Sequence, residues 1–277
     1  MDGISLDCST NPLTYEAFIA KLTSATGAVT WAKQYKEGTT NGNKAITRLV
    51  LDGSDNIYAT GVFAGSIFLT ASASAVGGND AFVAKLNSSG VVQWGKVIGT
   101  AQVEDAQDIA VDASGNVLIT GSIGGSFNFG GGTVTASGGS GWAFLAKYTN
   151  LGAYSNAKIF ANSAGGSAIG MAVTTDVASN VYLSGSMLGG INLGGGVLAN
   201  GGAYDIFLGK FDVSLNPLWS KSFGDGQQQK RAALRFDKST NRVVLAGTDA
   251  GSVNFGTGVL TGMDTTTTDL ALAKFQP

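Results

Sequence analysis

Apolar and polar residues alternate along this chain in short runs that break at Asp, Asn, Gly or Ser. Examples are "IAVDASGNVLITG" from Ile109 and "DAFVAKLNSSGVVQWGKVIG" from Asp80. Runs of this length with a period of two predict β-strands, and no window sustains the 3.6-residue period of a helix. Some runs, "AFVAKL" among them, are apolar at nearly every position, which predicts strands buried on both faces.

The runs recur. "EAFIAKL" (from Glu16), "DAFVAKL" (Asp80), "WAFLAKY" (Trp142), "DIFLGKF" (Asp205) and "DLALAKF" (Asp269) place Lys21, Lys85, Lys147, Lys210 and Lys274 at intervals of 62 to 64 residues. A second lysine follows each of the first four, as Lys33, Lys96, Lys158 and Lys221, preceded by Trp31, Trp94, Asn156 and Trp219. A hairpin pattern, "LVLDGSDNIYATG" in its first copy, carries Asn56, Asn116, Asn180 and Asn241 after its turn. Gly-rich segments such as "GSFNFG" and "GGINLG" form the fourth element. Four elements in fixed order make a repeat protein. Each repeat predicts two strands joined by an Asp/Asn turn, a long Gly-rich connection, and two further strands, which matches a four-stranded propeller blade.

This order, D-x-F-V-A-K-L, then G-x-V-x-W-x-K, then I-A-V-D-x-x-G-N-V-Y-x-T-G, resembles the bacterial SBBP-type β-propeller repeat family over nearly the whole chain. The resemblance implies an all-β propeller of antiparallel blades and a role as a secreted or surface scaffold of unassigned ligand. The third copy departs most, with Trp142 where Asp is usual, Asn156 for Trp, and a residue inserted before Asn180. The expected organisation is one propeller domain, or a fragment of one, over 1–277. Repeats fall at about 16–79, 80–141, 142–204 and 205–268, with partial pieces at 1–15 and 269–277. Counted this way the chain has one surplus third strand, so unpaired strand edges are expected to seek missing blades or a second molecule.

Composition narrows the chemistry. The 277 residues include 42 Gly and 3 Pro, only 13% are charged, and the formal net charge is -2. No basic field is present to attract nucleic acid. Histidine is absent, which removes the usual triads and the commonest metal ligand. The single cysteine, Cys8, has no partner for an internal disulfide. No apolar run is long enough for a membrane-spanning helix. No export signal is read at the N-terminus, so a secreted or surface location rests on composition and resemblance.

Nine of the thirteen lysines occupy the two repeat positions. They are expected to pair with the recurring acids: Glu16, Asp80, Asp205 and Asp269 at strand starts, and Asp52, Asp112 and Asp237 at turns. The turn acids lack the later carboxylate of a calcium loop, so they are expected to bind their own backbone. No cofactor or metal is expected. Function is sought where copies differ, in the loops "VEDAQD" and "DGQQQKR" and in aromatics beside Gly-rich connections. The candidate ligand-binding residues are Glu104, Asp105, Asp108, Trp142, Tyr204, Gln228, Lys230 and Arg231. The expected function is non-enzymatic recognition of a protein or glycan. The alternatives are a carboxylate-only glycosidase, for which the neighbouring Glu104 and Asp105 would have to face a cleft, and a spacer. As surface acids, these two are expected to be solvated.

Overall fold

The computed structural model describes residues 6, 15–35, 42–139, 141–163, 165–256, 258–261 and 269–276, and for Arg231 the backbone alone. Cys8, most of the loop 36–44 and most of the segment 262–269 lie outside the described residues. The chain divides into two compact units, Met1–Ala106 and Gln107–Pro277. All described regular structure is β.

The first unit opens with a hairpin, Ala17–Leu22 with Val29–Tyr35. A four-stranded sheet follows: Lys44–Leu51, Ile57–Phe63, Asp80–Leu86 and Val92–Ile98, in chain order across the sheet. A second sheet of the same order comprises Asp105–Val111, Val117–Ile123, Trp142–Tyr148 and Tyr154–Ile159, its first strand containing the boundary between the units. The third sheet comprises Ser167–Thr175, Val181–Leu188, Asp205–Phe211 and Pro217–Phe223. The last has three strands, Gln229–Asp237, Arg242–Asp249 and Asp269–Phe275. Every pairing with a recorded register is antiparallel, and no sheet closes on itself. In each repeat the second-to-third connection folds into a short ribbon, for example Ser66–Phe68 against Ser72–Ser74.

The registers repeat as faithfully as the sequence does. The third-strand lysine stands opposite Tyr58, Leu118, Tyr182 or Val244 on one side. On its other side, where a fourth strand exists, it faces the tryptophan position: Lys21 opposite Trp31, Lys85 opposite Trp94, Lys147 opposite Asn156, and Lys210 opposite Trp219. The register shifts just after the lysine in all four of these pairs. A second irregularity recurs between first and second strands, at Ile46/Arg48 and Gly170/Ala172. There the bulged backbone comes so close to Gly61 and Gly185 that a Cβ would strike the carbonyl of Ala45 or Ile169. Only glycine fits that approach.

Second strands such as Val117–Ile123 are buried on both faces, which accounts for their unbroken apolar or small composition. Within the second unit one core joins Ala143 and Leu145 of the second sheet to Phe207 and Phe211 of the third. Another joins Ile206 and Leu208 to Leu234, Val243 and Leu245 of the last sheet. In the first unit Ile19 of the hairpin packs with Phe82, Ala84 and Leu86.

Candidate functional site

The two ends of each sheet are built differently. At the first-to-second turn, one carboxylate organises the whole loop. Asp112 accepts the backbone N–H of Ser114 (2.9 Å) and of Asn116 (2.9 Å) on one oxygen, and the Asn116 side-chain amide (2.9 Å) on the other. Asp52 and Asp176 repeat this arrangement with Ser54 and Asn56, and with Ala178 and Asn180. The residue before each Asn is left-handed: Asp55, Gly115 and Ser179 have φ of 58°, 78° and 63°. This turn suits Gly, Asn, Asp and Ser for that reason. Asp176 stands four residues before Asn180 and four after Ala172 of the bulge, just as Asp52 stands relative to Asn56 and Arg48, so the insertion expected before Asn180 in the third repeat is corrected: its hairpin has the length of the first.

The third-strand lysines complete these turns. Lys147 reaches Asp112 at 2.9 Å with both side chains buried, and Lys274 reaches Asp237 at 2.8 Å. Lys210 lies 3.9 Å from Asp176 and over the Tyr182 ring, as Lys85 lies over Tyr58. Burial opposes ionisation of Asp112, but the bonds from Asn116 and Lys147 outweigh it and hold the carboxyl below its usual range. Lys274, then Ser239 and Thr240, do the same for Asp237. The fourth-strand lysines behave differently: Lys33, Lys96 and Lys221 are exposed. The departure of Asn156 from tryptophan is also explained. Trp31 Nε1 donates to the Ser88 carbonyl of the following repeat (3.2 Å), and Asn156 Nδ2 donates to the Ser214 carbonyl of its own following repeat (2.6 Å).

At the opposite end, the start of each third strand meets the loop that enters the next repeat. The backbone link is constant: the N–H groups of Lys44, Glu104, Ala168 and Gln229 donate to the carbonyls of Tyr15, Asn79, Gly141 and Tyr204. The side chains are not constant. Glu16 forms an ion pair with Lys44 (3.4 Å). Asp80 faces Glu104 instead, and both are buried. Glu104 accepts the Thr100 N–H (2.7 Å) and hydroxyl (2.5 Å), and Asp80 Oδ2 accepts the Val76 N–H (2.9 Å). Asp80 Oδ1 has no hydrogen-bond partner. Burial first, and then the charge of Glu104, raise the Asp80 carboxyl above its usual value. In the fourth repeat Gln229 takes the place of Glu104, donating to Asp225 (2.9 Å) and Asp249 (2.8 Å). Asp205 is likewise raised, by burial and then by Asp225.

The strand-start acids Glu16, Asp80 and Asp205 therefore meet this joint, and the expectation that they pair with the repeat lysines is corrected. The expectation that Glu104 and Asp105 are adjacent solvated acids also fails for Glu104. It is fully buried and its acidic neighbour is Asp80, because consecutive residues of a strand point to opposite faces. Asp105 is half-buried. Asp108 lies on a first strand, where its Oδ2 accepts the Val173 N–H (3.0 Å) of the next sheet with Arg235 at 3.9 Å, so it bridges first strands and does not line the loops. Trp142 is half-buried, with Nε1 donating to the Ser137 carbonyl (2.9 Å). Tyr204 and Lys230 come together, the ammonium 4.2 Å from the ring centre, beside exposed Gln228. The side chain of Arg231 lies outside the described residues. Sequence reasoning missed the joint positions Asp80, Thr100 and Asp225 as members of this site. Among the described residues no group of three or more acidic or thiol side chains is placed to hold a metal ion.

The joint end thus combines buried acids, which are closed to solvent, with a half-exposed patch of Tyr204, Lys230 and Gln228. No protein-family model matches the chain, and no curated protein matches it. Among solved structures the chain is similar to a protein of unknown function from Bacteroides caccae. The two share 10% identity over 90% of this chain and 69% of that one, with a TM-score of 0.46.

Proposed function

We propose that this chain is an array of SBBP-type propeller blades acting as a non-enzymatic, secreted or surface scaffold that recognises a glycan or a protein through the joint end. The observation that supports this most is the contrast between its side chains. Turn acids and third-strand lysines are consumed within the scaffold, whereas Lys230 and Gln228 differ from their counterparts in other copies, Tyr204 matches only Tyr15 of the first, and all three reach the surface. An aromatic ring beside a cation and an amide offers stacking and hydrogen bonding to a polar ligand. The burial of Glu104 speaks against a glycosidase, whose two carboxyls must both reach the scissile bond.

A glycan array and affinity capture, run with wild type, Tyr204→Ala and Lys230→Ala, test this reading. Binding by wild type is expected to weaken about tenfold, or about 1.4 kcal/mol, in Tyr204→Ala. Hydrolysis of a bound glycan that disappears in Glu104→Gln would overturn it in favour of an enzyme. Wild type that captures nothing on either platform would leave a spacer.

A further inference from the structure

Each sheet has two faces with different partners. The forward face carries the third-strand residues four and two places before the repeat lysine. The rear face carries those three and one before it and one after. In three interfaces a forward face packs on the rear face of the next sheet: Ile206 and Leu208 on Ala271 and its neighbours, Ala143 and Leu145 on Phe207 and Phe211, and Ile19 on Phe82, Ala84 and Leu86. Three interfaces, formed within the two units, follow this one rule.

Two faces are bare. On the forward face of the last sheet Leu270 is 78% and Leu272 63% exposed, where the corresponding Ile206 and Leu208 are 1% and 0% exposed. Beside them on the second strand Val244 and Ala246 are only partly covered. On the rear face of the opening hairpin Phe18 is 59% and Leu22 53% exposed, where Phe82 and Leu86 are 4% and 1% exposed. Large apolar side chains left together on a sheet face mark an interaction surface. Each bare face presents, at the same register positions, the residue class that the internal interfaces pair with the other.

We propose that the forward face of the last sheet of one molecule docks on the rear face of the opening hairpin of a second copy, head to tail. The contact continues between molecules the interface that already joins successive sheets inside the chain. Such a contact is heterologous, so it builds rings or open chains of molecules and does not stop at a two-fold dimer.

Sedimentation velocity on the full chain tests this. Wild type is expected to form species larger than a monomer as concentration rises. Leu270→Glu with Leu272→Glu blocks the forward face, and Phe18→Glu with Leu22→Glu blocks the rear face, so each variant alone is expected to stay monomeric. Mixed together they are expected to form a species of two molecules and nothing larger, because each supplies the one face the other lacks. Far-UV circular dichroism checks that both variants fold, and serine at the same positions replaces any glutamate that unfolds the chain. A wild type that is monomeric at every concentration, association that survives both variants, or a mixture that stays monomeric would each overturn the proposal.

Discussion

The turn end and the joint end of these sheets solve the same problem, keeping carboxylates inside a β-sheet protein, in opposite ways. At the turn end every copy surrounds its acid with donors: two backbone N–H groups and an amide in Asp52, Asp112 and Asp176, with a lysine 2.9 Å from Asp112. At the joint end the backbone contact is constant, but the side chain that meets it is Lys44, Glu104, Ala168 or Gln229. One end is a shared device. The other is fitted separately in each copy, and at Asp80 and Glu104 it places two acids together.

The largest effect is expected from breaking the turn end where it is most buried. Lys147→Met leaves Asp112 without its cation and should cost about 3–5 kcal/mol, read from the midpoint of urea unfolding. Because Asp112 is held below its usual range when folded, its contribution is complete above about pH 4 and disappears as pH falls through the depressed value. Loss of the ion pair should therefore flatten the acid limb of the stability curve.

The joint end should respond in the opposite sense. Gln229→Glu would place a new carboxylate between Asp225 and Asp249 and beside Asp205, where the amide now donates to the first two. A destabilisation of about 2 kcal/mol is expected at neutral pH and relief in acid, measured by the same unfolding series. Asp80→Asn sharpens the comparison by removing one member of the existing pair. Asp80 binds its proton more tightly in the folded chain than in the unfolded one, so stability falls as pH rises from about 4 through its raised value. The asparagine variant should lose that decline and gain about 1 kcal/mol at neutral pH. The smallest effect is expected at an exposed lysine of the fourth strand: Lys96→Met should change stability by less than about 0.5 kcal/mol in the same assay. A cost like that of Lys147→Met would erase the distinction between the two lysine series.

Much of the turn end is readable from sequence. The Asp and Asn of the turn are local, and the lysine recurs at a spacing that the antiparallel register converts into one contact. The tryptophan position is legible as a repeat, but its partner is not, because that carbonyl belongs to the next copy and backbone carbonyls leave no trace in a sequence. The joint was illegible for a related reason. Asp80 and Glu104 come together only when two loops have folded, and repetition, the strongest signal in this chain, is silent at a position whose residue changes in each copy. Adjacency suggested Glu104 with Asp105, but strand geometry separates neighbours and unites residues from different loops.

The ion pairs of Lys147 with Asp112, Lys210 with Asp176 and Lys274 with Asp237 each lie within a single sheet. A whole sheet can therefore be duplicated or deleted without separating the partners of these three pairs. For a gene that lengthens by copying its own segments, that neutrality makes the number of repeats free to vary, while each new junction is left open to be tailored by substitution at one or two residues.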